Sequence, residues 1–144
     1  MEKIIKVSCE MIIEDEGRLL MGRRGNVFGK GSWAFPGGHL EYNERTEDCV
    51  RRELEEELGI TPDGIELLGV INDIRKAEQE EDAGHYIRFV YLIKKFSGEI
   101  TNKEPERCKG WEWKEKDHLP NPIFVGHQKP LELYLTHNKK FFLE

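Results

Sequence analysis

The sequence predicts a mixed α/β (α+β) fold. Three observations carry that expectation. Four stretches rich in β-branched and aromatic residues read as strands, at 4–13, 18–22, 65–74 and 85–95. One segment, 46–58, has helical periodicity and ends at a glycine. A second helical stretch, 123–136, lies near the C-terminus. The chain has 144 residues, the size of one ordinary domain, so 1–144 is expected to form a single core without disulfide or metal staples.

Residues 4–13 (IIKVSCEMII) mix alternation with β-branched character. Glu14–Gly17 is a polar turn, and Arg18–Gly22 follows as the partner strand of a hairpin. Arg23 to Gly31 is basic, glycine-rich and irregular. Trp33–Pro36 is a short apolar stretch stopped by Pro36-Gly37-Gly38. Thr46 is the expected N-cap of the helix, and Glu47 and Asp48 sit in its first turn, where the dipole favours acids. Val50, Leu54 and Leu58 form one apolar stripe, and Gly59 stands where a left-handed C-terminal residue belongs. The charged segment 76–84 is expected to be a hairpin loop between strands 65–74 and 85–95. Trp111–Trp113 predicts one more short strand. Pro130 fits the first turn of a helix starting near Gln128 better than the interior of a longer one.

Composition narrows function. Lys+Arg 22 against Asp+Glu 28 gives a net charge of −6, which argues against coating a nucleic-acid polymer or an anionic membrane through bulk charge. Cys9, Cys49 and Cys108 are odd in number and widely spaced, as expected of reduced thiols in the cytoplasm. No run approaches the ~18 apolar residues of a membrane span, and no secretory leader is apparent.

The residues that ask for a chemical explanation are Glu53, Glu56 and Glu57. At i, i+3 and i+4 they share one side of the helix, at the boundary between core and solvent. Like charges so placed cost roughly 0.2–0.5 kcal/mol per exposed pair, and more when partly buried. Acidic helical runs are usually solvated faces. A divalent cation is the alternative, and hard oxygen ligands suit Mg²⁺ or Mn²⁺. Arg52 stands four residues before Glu56, where it can orient that carboxylate. Gly37 and Gly38 let backbone approach a ligand closely and leave carbonyls free.

Gly38, Glu44, Arg52-Glu53-Leu54, Glu56-Glu57 and Gly59-Ile60 together are similar to the complete Nudix box, with every specified position filled from Gly38 to Ile60. The flanks Leu19–Arg24, Trp33–Gly38 and Trp111–Trp113 also resemble the family. The resemblance implies the Nudix fold, a mixed curved β-sheet sandwiched between helices. It implies Mg²⁺-dependent hydrolysis of a nucleoside diphosphate linked to another group, with Mn²⁺ able to substitute. Carried over, Glu53, Glu56, Glu57 and the Gly37 carbonyl become metal ligands, and Arg52 orients the glutamates. Glu53 becomes the candidate general base, and Glu44 a structural carboxylate. A later loop is expected to add a carboxylate, Glu104 in preference to Glu106. Arg23, with Arg24 or Lys30 as alternates, is the candidate phosphate clamp. Phe35, Gly38 and Trp111 are candidates to contact substrate, whereas Trp113 and Tyr91 read as sheet core. His39 and His85 lack the partner spacing of a zinc site.

The sequence marks of ADP-ribose, NADH and coenzyme A hydrolases are not apparent. The phrases at 36–41 (PGGHLE), 104–108 (EPERC) and 110–113 (GWEW) resemble the MutT-like branch that includes the human thiopurine-nucleotide diphosphatase. A nucleoside triphosphate diphosphatase is therefore expected. The alternatives are a nucleotide-sugar or dinucleotide hydrolase and a non-catalytic nucleotide-binding module. Homodimers occur in that branch, so a homodimer is the assembly to look for.

Overall fold

The computed structural model describes residues 3–76, 83–136 and 140–144. Its large sheet has strand order β10-β6-β7-β1-β2-β3, with β4 also on β1 and β9 also on β2. These strands are β1 (Lys6–Asp15), β2 (Arg18–Arg24), β3 (Trp33–Ala34), β4 (Gly37–His39), β6 (Glu66–Arg75), β7 (Gly84–Ile93), β9 (Cys108–Glu115) and β10 (Phe142–Leu143). A separate ribbon pairs β5 (Thr61–Pro62) with β8 (Phe96–Ser97). The helices are α1 (Thr46–Leu58) and α2 (Gln128–Leu135).

β1 organises the sheet. It runs parallel to β7 from Lys6↔Tyr86 to Ile13↔Ile93 and antiparallel to β4 through Ser8↔His39, Cys9↔Gly38 and Glu10↔Gly37. Its last residues form the expected hairpin with β2, Asp15 facing Arg18. Both faces of β1 are covered, because alternate side chains enter different apolar clusters. Met11 and Ile13 pack with Leu20, Ile93 and the α1 stripe of Val50, Leu54 and Leu58. Ile12 packs on the other face with Leu19, Met21, Val90 and Leu133 of α2. The sheet thus lies between the two helices. Each such aliphatic side chain contributes about 1.5–3 kcal/mol by leaving water.

α1 spans the predicted residues, and Gly59 ends it in the left-handed region at φ 71, its N–H donating to the Glu55 carbonyl. Thr46 is not the cap. Arg45 holds that position without a side-chain cap, and the Thr46 hydroxyl pairs with the Tyr91 hydroxyl across the core. The expected helix 123–136 is shorter. A 3₁₀ turn, Val125–His127, precedes α2, and Pro130 lies near the α2 start, where its missing N–H costs little. Trp111–Trp113 belongs to the longer β9, antiparallel to β2. β6 and β7 pair antiparallel as far as Arg75↔Gly84. Of the predicted loop between them, 77–82 lies outside the described residues. β10, parallel to β6 at Val70 and Ile71, was not anticipated. Among the described residues, no helix is long and apolar enough to cross a membrane.

Candidate active site

The turn from Phe35 to Gly38 carries the site. Pairing of Gly37 and Gly38 with β1 lays this turn beside α1. Gly38 faces the Glu53 carboxylate so closely that any β-carbon would overlap it. Gly37 has the same relation to the Glu10 carboxylate. Both glycines therefore leave room for a carboxylate of this chain, and at Gly37 the Cys9 carbonyl oxygen also lies 2.8 Å from where a β-carbon would stand. The Gly37 N–H donates to Glu57 Oε2 at 3.1 Å.

Arg52 ties the box together. Its Nε and Nη2 donate to Glu44 Oε2 and Oε1 at 2.7 and 3.0 Å, a two-pronged pair. Nη2 also donates to the His39 carbonyl at 3.0 Å. Nη1 donates to Glu53 Oε1 at 2.8 Å and to Glu56 Oε2 at 3.3 Å. Arg52 so joins α1 to the loop before it, and its hydrogen bonds hold the Glu44 carboxyl below its ordinary value.

Glu53 and Glu57 are both shifted the other way from Glu44. Burial, then the charges of Glu53 and Glu104, push the Glu57 carboxyl well above the usual range. Burial also raises Glu53 against the pull of Arg52, with Glu56 and Glu104 adding repulsion. Among the described residues, no three His, Cys, Asp or Glu side chains stand converged as a metal-ligand set. The hydrogen bonds explain this: Glu53 is turned to Arg52, Glu57 to the Gly37 N–H, and Glu56 is 53% exposed. The donor chemistry nonetheless fits a divalent cation. Glu53, Glu57 and Glu104 are hard oxygen donors that repel one another where they stand.

Beside these carboxylates opens a cavity of about 340 Å³. Phe35, Gly37, Gly38, Glu57, Glu104 and Trp111 line it; Arg23, Lys30, Arg52, Glu53, Glu56 and Glu106 do not. Arg23 is exposed on β2, whereas its neighbours Gly22 and Arg24 face the cavity. The Trp111 ring lies over Gly22, where a β-carbon would meet ring atoms at 2.8 and 2.9 Å. Trp111 Nε1 and Asn102 Oδ1 are buried with no hydrogen-bond partner among the described residues. Tyr91 lies in the core, and Trp113 packs against that core. His39 lines the cavity, and His85 pairs with Asn72 Oδ1 at 2.7 Å.

The cavity also has a buried polar floor that sequence reasoning missed. Glu10 and Arg88 are 2% and 4% exposed. Arg88 bridges Glu10 Oε1 at 2.8 Å and Asp73 Oδ2 at 2.9 Å, and the Ser8 hydroxyl donates to Glu10. The Phe35 N–H donates to His127 Nδ1 at 2.9 Å, which leaves the ring hydrogen on Nε2 for Glu10 Oε2 at 3.0 Å. Burial alone would raise the Glu10 carboxyl; the interactions with His127, Arg88 and Ser8 outweigh it and hold the group at about 2. One signal was available, since Glu10 interrupts an apolar strand run on both sides.

The NUDIX domain family model matches residues 4–134. The chain belongs to the Nudix family. It is a Nudix hydrolase, a pyrophosphatase of nucleotide phosphoanhydrides. A MutT NUDIX hydrolase from Burkholderia pseudomallei superposes with a TM-score of 0.83 at 35% identity, covering 91% of this chain and 98% of that one. The ADP-ribose pyrophosphatase of Methanocaldococcus jannaschii is 33% identical over 129 residues, 90% of this chain and 72% of the relative. The 8-oxo-dGTP diphosphatase of Escherichia coli is 30% identical over 103 residues, 71% of this Nudix chain and 75% of the relative.

Proposed function

We propose that this Nudix hydrolase is a Mg²⁺-dependent nucleoside triphosphate diphosphatase, yielding a monophosphate and pyrophosphate, with Mn²⁺ able to substitute. The observation that carries the reading is the juxtaposition of the Glu53, Glu57 and Glu104 carboxylates with an aromatic-lined cavity of about 340 Å³. That volume falls within the roughly 300–1,000 Å³ typical of small-ligand pockets. We take 1–144 as one domain of a cytoplasmic protein acting on a small nucleotide, with no nucleic-acid polymer or membrane as partner, and a homodimer as its assembly.

Glu53, Glu56, Glu57, Glu104 and the Gly37 carbonyl would hold the cation. A divalent ion there supplies neutralisation of phosphate charge and a more acidic water. Glu53 takes the proton of the attacking water, and Arg52 positions Glu53 through the hydrogen bond at 2.8 Å. Phe35 and Trp111 cover the base, and the unpartnered Trp111 Nε1 gives the wall a free donor. Of the basic-loop candidates, Arg24 faces the cavity and replaces Arg23 as the phosphate contact. Water adds to an inner phosphorus, the bridging P–O bond breaks, and pyrophosphate leaves.

A panel of nucleoside triphosphates, ADP-ribose and nucleotide sugars, assayed with and without EDTA, tests this. Turnover should vanish in the chelator, return with Mg²⁺ or Mn²⁺, and release pyrophosphate first. Undiminished turnover in excess EDTA, or orthophosphate as first product, would reject the reading. Hydrolysis of ADP-ribose is the second reading, favoured by the Methanocaldococcus relative, and a clear preference for it would displace the first. The intact carboxylate set argues against a module that binds without cutting.

A further inference from the structure

The polar floor of the cavity is satisfied internally almost everywhere. The Ser8 hydroxyl donates to Glu10 Oε1 at 2.6 Å. The His127 ring uses both nitrogens, one on the Phe35 N–H and one on Glu10 Oε2. Glu10 accepts from Ser8, Arg88 and His127, three of the roughly four acceptor positions of a carboxylate. Gly37 packs against its Oε2.

Arg88 is the exception. Its Nε donates to Asp73 Oδ2 at 2.9 Å, and its Nη1 to Glu10 Oε1 at 2.8 Å and Ser8 Oγ at 3.4 Å. Among the described residues, no hydrogen bond leaves Nη2. That nitrogen is not sealed off either, unlike Trp111 Nε1 and Asn102 Oδ1. Arg88 lines the cavity, so the Nη2 hydrogens open onto it. The guanidinium is held in place by two carboxylates, and its carbon lies 4.3 Å from the Tyr86 ring centroid. A β-carbon on Gly126 would stand 2.8 Å from Nη2, so a glycine in the turn carrying His127 leaves the room this nitrogen occupies.

Charge decides what Nη2 can receive. One guanidinium already stands against two carboxylates, Glu10 and Asp73. Burial alone would lower the Arg88 guanidinium; these carboxylates outweigh it and raise the group. A further anion would meet net repulsion at this floor, whereas a carbonyl oxygen accepts a hydrogen bond without adding charge. The Phe35 ring stacks on the His127 ring at 5.8 Å between centroids, so a base held against Phe35 lies beside the floor.

We propose that Arg88 is a specificity-determining residue whose Nη2 donates to a ring carbonyl of the nucleobase and so selects keto bases over amino bases. Naming a base as the occupant rests on the proposed function. An amino group at that position would set N–H against N–H and leave the buried cation's donor unpaired.

Calorimetric titration in EDTA with two pairs of nucleotides, IMP with AMP and UMP with CMP, tests it. In each pair a ring carbonyl replaces an amino group, and the neighbouring ring nitrogen changes from acceptor to donor. In whichever pair fits the cavity better, the wild type should bind the keto member about tenfold or more tightly. Arg88→Lys keeps a cation for Glu10 and Asp73 but loses the fork, and its keto preference should fall to within about twofold. Gly126→Ala crowds Nη2 and keeps every charge; it should cut the preference by about threefold or more. It carries the test should Arg88→Lys fail to fold. Arg24→Ala, at the phosphate contact, should weaken both members of a pair alike. Binding of none of the four, equal binding within both pairs, or tighter binding of the amino member would overturn the assignment. So would a keto preference that persists in folded Arg88→Lys or, failing that variant, in Gly126→Ala. Arg88-dependent keto selection without hydrolysis of any triphosphate would leave the assignment standing and sink the proposed function. Pyrophosphate release with a base choice indifferent to Arg88→Lys would do the reverse.

Discussion

Glu57→Gln should lower kcat by roughly 10²–10³-fold, the loss typical when a preorganised electrostatic contact is removed. The substitution keeps size, and the amide oxygen can still accept the Gly37 N–H now found at 3.1 Å from Glu57 Oε2. The fold should therefore survive. Stability in EDTA should rise. A carboxyl whose folded value lies above its unfolded value contributes most at low pH and loses that contribution as pH climbs through the folded value. Glu57 is raised in this way by burial and by Glu53 and Glu104, so its charge opposes folding at neutral pH. A neutral amide removes that penalty. Thermal unfolding in EDTA at pH 5 and pH 8 should show the wild type losing more than the variant between the two. Glu47→Gln, on an exposed position of the same helix, should leave kcat nearly unchanged. Equal effects of the two substitutions would reduce the acidic face to solvated surface.

Arg52→Ala should damage both stability and rate. Its side chain is 23% exposed, and its partners Glu44 and Glu53 are 12% and 13% exposed. Removing it strands two poorly solvated carboxylates and should cost about 1.5–3 kcal/mol, below the figure for a fully buried pair because solvent still reaches the cluster. kcat should drop by more than about tenfold, since Glu53 loses its orientation. Arg52→Lys should recover part of the stability and less of the rate, because one ammonium cannot serve Glu44, Glu53 and the His39 carbonyl together. Denaturant titration alongside steady-state kinetics checks both halves. An unfolding free energy unchanged within about 0.5 kcal/mol would mark these pairs as ordinary surface contacts.

Much of this arrangement was legible because it is local. The α1 stripe, its glycine stop and the spacing of the glutamates depend on helical geometry that the sequence displays directly. Thr46 shows where local reasoning stops. It has the chemistry of a cap, but Tyr91, distant in sequence, takes its hydroxyl. β2 shows a second limit. Leu19, Leu20 and Met21 are all buried, so the run does not reveal which face is which, and Arg23 and Arg24 cannot be told apart by alternation. Only the folded cavity, which Gly22 and Arg24 line and Arg23 does not, shows which of the two arginines faces it, and the register of β2 on β9 shifts between Gly22 and Arg24. Glu10, Arg88 and His127 come together from three distant segments, and no spacing rule predicts that meeting. Gly37 and Gly38 do permit close approach, and the approaching groups are the Glu10 and Glu53 carboxylates.

The parallel pairing of β1 with β7 also fixes the order in which the molecule can be made. Ser8 meets Arg88 across a separation of 80 residues, and Glu10 meets His127 across 117. α1 and the β6–β7 hairpin close over short stretches of chain and can form early. β1 can pair early with β2 and β4, but its other edge must wait on the ribosome until β7 has emerged, and closing so long a loop costs about 0.6 kcal/mol more for each doubling of its length. Until His127 is synthesised, Glu10 is a charged residue among apolar neighbours with no place to be buried. The nascent chain therefore holds the helix glutamates long before its cavity floor is complete, since that floor waits for the 3₁₀ turn that ends at His127.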